Sequence, residues 1–242
     1  MFFPESKPRL HLSYRTARRF PPDLKSVLIH LNILMDLILS EIRGQPYTSL
    51  YESYVLTDYE KIVLLLEDRK FFLHNGVDIR CIPRALKRFI AKGRMGGVST
   101  VEQQLVRTVL GFRERTFRRK AQEVALAVVL SYRAKKTETL RAYLNLAYHG
   151  FGVIGCEAAT KILFGKNAAE LDRVEGALVA SLLVYPIPRQ ILENGGILAR
   201  LPSADVKTLL DACDLAAPNW TRNVRKRSNY GLALLSQAEK AS

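Results

Sequence analysis

Thr57-Asp58-Tyr59-Glu60-Lys61-Ile62-Val63-Leu64-Leu65-Leu66-Glu67-Asp68-Arg69-Lys70-Phe71-Phe72-Leu73-His74-Asn75-Gly76 reads as a segment that opens on a helix start signal and is closed by a glycine. Thr57 and Glu60 have the spacing of a capping box, in which a hydroxyl and a carboxylate satisfy free backbone N–H groups at the helix start. An apolar run, 62–66, follows, and Glu67 comes directly after it. A carboxylate in that position emerges beside a packed core, where partial burial disfavours its charged form, as a general base working near neutrality requires. The plainer alternative is a helix-surface Glu paired with Lys70 at i+3 or with an arginine elsewhere. Gly76 ends the segment.

Two further polar segments follow in order. Ser99-Thr100-Val101-Glu102 has the form of a second capping box, and Ser99 starts a helix running to about Leu110. Ser99, Gln103 and Arg107 then stand at i, i+4 and i+8, one polar stripe opening at a helix N-terminus, where free backbone N–H groups suit an anion. On the next helix, 116–135, Arg119 and Lys120 precede Glu123 by four and three residues. Two cations beside one carboxylate make Glu123 a poor proton donor and a better electrostatic partner. By spacing alone the trio is equally an intrahelical salt bridge worth a few tenths of a kcal/mol. Two acids flanking clustered Arg, Lys and Gln donors suit transfer chemistry on an anionic group such as a pyrophosphate.

Helical periodicity dominates the rest, with no sustained period-two alternation. Apolar residues at 24, 27, 28, 31, 34, 35, 38 and 42 mark an amphipathic helix that lies on a bilayer or, as is commoner, packs on the domain. Segment 27–42 is broken by His30, Asn32 and Asp36 and falls short of the roughly 20 apolar residues a membrane span needs. Further helices are expected around 84–90, 137–146, 154–164, 172–184 and 219–237, with a glycine-punctuated basic loop at 92–97. Segment 189–217 carries the weakest signals.

A content of 48% hydrophobic and 25% charged residues excludes a disordered chain. The formal net charge of +14 favours polyanionic partners: nucleic acid, anionic membrane or a phosphorylated substrate. Cys81, Cys156 and Cys213 are too far apart for a CxxC or zinc pattern and serve best as small apolar fillers. No secretory signal is visible at the start.

Taken together, the segments resemble the signature motifs of the peptidoglycan glycosyltransferases, glycosyltransferase family 51, found as monofunctional transglycosylases and as domains of penicillin-binding proteins. The first motif, Glu-Asp-x-x-Phe-x-x-His-x-Gly, is met in full by residues 67–76. The second, Gly-Gly-Ser-Thr-x-Thr-Gln-Gln, is met imperfectly: Val98 replaces a glycine and Glu102 replaces Thr. Arg119, Lys120 and Glu123 meet the third, Arg-Lys-x-x-Glu. Lys136, Tyr143-Leu144-Asn145, Phe164-Gly165-Lys166, 175–180 and 186–189 extend the similarity over about 55–190 and, more weakly, 219–235. Ser131 stands where a Glu is common, and the membrane anchor usual before this domain is not seen.

The resemblance implies a mainly α fold, a lysozyme-like catalytic lobe with a smaller mobile membrane-facing lobe bordered by the basic segment 80–95. It divides the chain into an N-terminal amphipathic segment (1–50), a catalytic core (51–190) and a C-terminal helical extension (191–242). The implied reaction polymerises lipid II into a lipid-linked glycan strand at the periplasmic face of the cell inner membrane, peripherally or through an anchor. Glu67 would act as base on the acceptor 4-hydroxyl, and Glu123 with Arg119 and Lys120 would stabilise the departing pyrophosphate. Ser99, Thr100, Gln103, Gln104, Arg107 and Arg115 fall at substrate-binding positions, Arg107 where the family has Lys. A magnesium ion could assist at the pyrophosphate, although no protein metal cage is legible. Cell-wall synthesis proteins are the expected partners, and nucleic acid is not, because no reading motif accompanies the charge. A lysozyme-like glycoside hydrolase and a catalytically silent cell-wall scaffold of the same fold remain the alternatives.

Overall fold

The computed structural model describes residues 24–45, 55–81, 99–114, 116–192 and 205–241, and it is built almost wholly of helices. In chain order these are α1 (Leu24–Arg43), α2 (Asp58–Glu67), α3 (Val101–Val109), α4 (Phe117–Arg133), α5 (Lys136–Leu146), α6 (Cys156–Phe164), α7 (Arg173–Ser181), α8 (Arg189–Leu192), α9 (Val206–Asp214) and α10 (Pro218–Ala241). A small antiparallel hairpin, β1 (Tyr148–Gly150) and β2 (Val153–Ile154), joins α5 to α6, pairing Tyr148 with Ile154 and Gly150 with Val153. The hairpin escaped the periodicity because strands this short carry too few side chains to alternate.

The capping box at Thr57 forms as its spacing predicts: the Glu60 amide donates to Thr57 Oγ1 and the Thr57 amide to Glu60 Oε2. α2 then buries Tyr59, Ile62, Val63 and Leu64 against α7 and α10. Gly231 of α10 allows that approach, since a Cβ there would lie 2.9 Å from the Ile62 side chain. α3 packs between α4 and α5, so the second and third polar segments become neighbours. α1 packs on the domain: Leu34, Met35, Ile38 and Leu39 are buried, while Leu28, Ile29 and Ile33 of its other face are exposed. Among the described residues no helix is long and apolar enough to cross a membrane.

Several boundaries differ from expectation. Ser99 does not start α3; Thr100 is the N-cap, its hydroxyl accepting from the Gln103 amide at 3.3 Å. Glu102 therefore does not reach back as a capping-box acid. It turns to Lys136, where a buried carboxylate finds a full counter-charge. Residues 154–164 divide into β2 and α6, turning at Gly155, whose φ is +86°. α9, within the segment of weakest signals, is capped by Asp205 and buries Leu209, Leu210 and Cys213. The expected helix around 84–90, the basic loop at 92–97, Val98 and most of the small-lobe segment 80–95 lie outside the described residues.

Candidate active site

α2 ends at Glu67, and the C-terminal helix α10 crosses that end. Arg227 of α10 donates from its terminal nitrogen to Glu67 Oε1 at 2.5 Å. The two side chains are 20% and 13% exposed, so the pair is largely shielded from water. Of the partners weighed for Glu67, the structure has the distant arginine and not Lys70. Gln104 of α3 donates from Nε2 to Glu67 Oε2 at 3.3 Å, and Tyr143 of α5 donates to Gln104 Oε1 at 2.8 Å. Burial, reinforced by the Glu67 charge, pushes the Tyr143 phenol above its ordinary range. Tyr143 thus stays a donor and fixes which way the Gln104 amide faces. Arg69 makes a second tie between the same elements, donating to the Tyr230 hydroxyl at 2.7 Å.

Glu123 lies on α4 with its side chain wholly buried. Arg119 holds one carboxylate oxygen, and Lys120 holds the other at 2.5 Å. Lys120 Nζ also donates to Gln103 Oε1 at 2.6 Å and to Ser99 Oγ at 3.1 Å. Burial lowers the Lys120 pKa; Glu123 opposes that fall, and the like charges of Arg107 and Arg119 add to it. This is not the solvated helix-surface bridge that spacing alone would allow. With both carboxylate oxygens bound to cations, the cluster is a fixed block of positive charge with one internal counter-ion.

Ser99 joins the two ends. Its hydroxyl accepts from Lys120, and its backbone carbonyl accepts from Gln104 Nε2 at 3.5 Å. A continuous polar path therefore runs Arg227, Glu67, Gln104, Ser99, Lys120, Glu123, Arg119. Gln103 and Gln104, adjacent in sequence, diverge from α3 to serve the two carboxylates, as a helix requires of neighbouring residues.

Thr100 is placed differently from the other polar residues of this stretch: it is buried and donates to the Gly76 carbonyl at 2.7 Å, besides capping α3. Arg107 lies close enough for its charge to act on Lys120 and Tyr143. Arg115 lies outside the described residues. Sequence reasoning did not single out Arg227 or Tyr143 as site residues. The basic character of 219–237 pointed at the right helix, but choosing Arg227 among Arg222, Arg225, Lys226 and Arg227 needs the crossing of α10 over α2.

Comparisons with known proteins place the chain in a family. The family model described as Transglycosylase matches residues 39–208. Penicillin-binding protein 1F of Bacillus subtilis is 35% identical over 68% of this chain and 24% of its own length. The biosynthetic peptidoglycan transglycosylase of Alcanivorax borkumensis is 38% identical over 54% of this chain and 54% of its own. That of Thiobacillus denitrificans is 34% identical over 54% and 57%. The chain thus spans about half or less of the length of these relatives. With its mostly helical, lysozyme-like architecture and a family match over most of its length, the chain belongs to the transglycosylase family.

Proposed function

We propose that the polar path from Arg227 to Arg119 is the active site of a peptidoglycan glycosyltransferase that polymerises lipid II into glycan strands. The observation that carries this reading is the linkage of the two acids through α3, one beside a single arginine and the other inside a cationic cluster.

Glu67 removes the proton from the acceptor 4-hydroxyl as that oxygen attacks C1 of the donor sugar. The C1–O bond to the pyrophosphate breaks, its electron pair leaves with the pyrophosphate, and the configuration at C1 inverts. Arg227 and Gln104 hold Glu67 in position for that transfer. At the other end, Lys120 and Arg119, organised by Glu123, meet the negative charge that develops on the leaving group; Arg107 adds to the same field. Such pre-set charge is worth most where water is excluded, and a pyrophosphate needs charge stabilisation more than it needs an acid. A glycoside hydrolase would need a protonated acid at the leaving oxygen. Glu123, with both oxygens on cations, fits that role poorly.

The donor set does not fit a protein-held magnesium ion at this end, because Arg119 and Lys120 engage both oxygens of its one carboxylate and Lys120 also engages the nearby Gln103 and Ser99 oxygens. The net charge of +14 and the exposed apolar face of α1 favour work at an anionic membrane surface, which we take to be the outer face of the cell inner membrane. Cell-wall synthesis proteins are the partners consistent with that place.

The test is incubation with labelled lipid II and electrophoretic sizing of the product. The native chain should extend glycan. Glu67→Gln should lose turnover, and Glu123→Gln should lose it while still folding. Equal polymer from all three refutes the residue roles, and shortening of preformed strands supports hydrolysis instead.

A further inference from the structure

Directly behind Glu67 the fold brings together the side chains of Asp68, His74 and Glu102, none more than 7% exposed, each offering a ligand atom within 4.8 Å of the others. Asp68 is held by the Val101 amide, which donates to its Oδ2 at 3.1 Å. His74 Nε2 lies 3.1 and 2.9 Å from the two Asp68 oxygens. Glu102 Oε1 is held by Lys136, which also donates to the His74 carbonyl at 2.7 Å. Two atoms remain buried without a hydrogen-bond partner among the described residues: Glu102 Oε2 and His74 Nδ1. The Glu102 side chain is 1% exposed, so water does not relieve its free oxygen from outside.

Two carboxylates and one ammonium leave a negative charge uncompensated. Glu102 Oε2 keeps lone pairs that no donor among the described residues uses, and a metal ion takes lone pairs. We propose that Asp68, His74 and Glu102 bind one divalent first-row ion, with an imidazole nitrogen and a carboxylate oxygen from each acid as its protein ligands. That mixed set favours zinc or manganese over magnesium or calcium, which avoid nitrogen. Lys136, the most exposed member of the group at 21%, sits on Glu102 as the competing cation. Glu102 occupies the position where the motif resembled above has Thr, so the site belongs to this chain's own departure from the pattern. It is separate from the proposed pyrophosphate end and stands whether or not the chain polymerises glycan.

The purified chain, stripped with a chelator, is titrated calorimetrically with zinc, and with manganese and magnesium in parallel. One zinc ion per chain should bind, more tightly than magnesium. Zinc-edge X-ray absorption should show nitrogen and oxygen ligands with one imidazole and no sulfur. Glu102→Gln and Glu102→Thr, checked for folding by circular dichroism, should weaken zinc by about tenfold or more. Lys136→Met, which removes the competing ammonium, should tighten it. Absence of stoichiometric zinc binding, sulfur ligation, or equal affinity in the Glu102 variants overturns the site.

Discussion

Arg227→Met tests most directly whether the C-terminal helix takes part in the reaction. The contact it removes is a charge-assisted hydrogen bond of 2.5 Å between side chains 20% and 13% exposed. An exposed ion pair contributes up to about 1 kcal/mol, and removing one partner of a fully buried pair costs about 3–5 kcal/mol. This pair lies between those limits, and a hydrogen bond to a charged group is worth about 1.5–3 kcal/mol. If that free energy is what holds Glu67 on the acceptor hydroxyl, turnover falls roughly 10- to 150-fold. Gln104 still holds the other oxygen, so the loss is partial. Steady-state polymerisation of labelled lipid II should show the fall in kcat with little change in KM, because Arg227 acts through Glu67 and not on the bound donor. Arg227→Lys should recover part of it, and a distant control such as Arg222→Met should leave kcat unchanged. A folded Arg227→Met enzyme within about twofold of the native kcat refutes the reasoning.

Other outcomes follow from single observations. Burial holds the His149 imidazole down to about 4 against an ordinary 6.5, so between those values the unfolded chain binds the extra proton and stability rises with pH. Acidification from pH 7 to 4 should therefore cost about 3 kcal/mol through this residue, measured by urea unfolding, and His149→Phe should flatten that dependence. Burial lowers the Lys120 pKa, so activity should decline on the alkaline side at lower pH than an ordinary lysine would give; Lys120→Arg should shift that limb upward in the polymerisation assay. Gly76→Ala should lower the denaturant midpoint by at least about 1 kcal/mol equivalent, because φ is +79° and a Cβ would meet the Ala127 carbonyl oxygen at 2.2 Å.

The alternation of apolar and polar residues at helical spacing, and a cap such as Thr57, depend on neighbours within one turn, so the sequence alone determined the helical class, most helix positions and the Arg119–Lys120–Glu123 cluster. The same locality explains the misplaced start of α3: Ser99 and Thr100 are both competent caps, and the choice fell to Thr100 because its hydroxyl also reaches the Gly76 carbonyl. Only the tertiary structure decided that Arg227, 160 positions away, is the partner of Glu67, that Gln104 and Ser99 connect the two acids, and that Glu102 faces Lys136, Asp68 and His74. These are pairings between side chains on different helices. They depend on how α10 crosses α2 and how α3 settles between α4 and α5, which buried surface and close glycine contacts set and which no local spacing encodes.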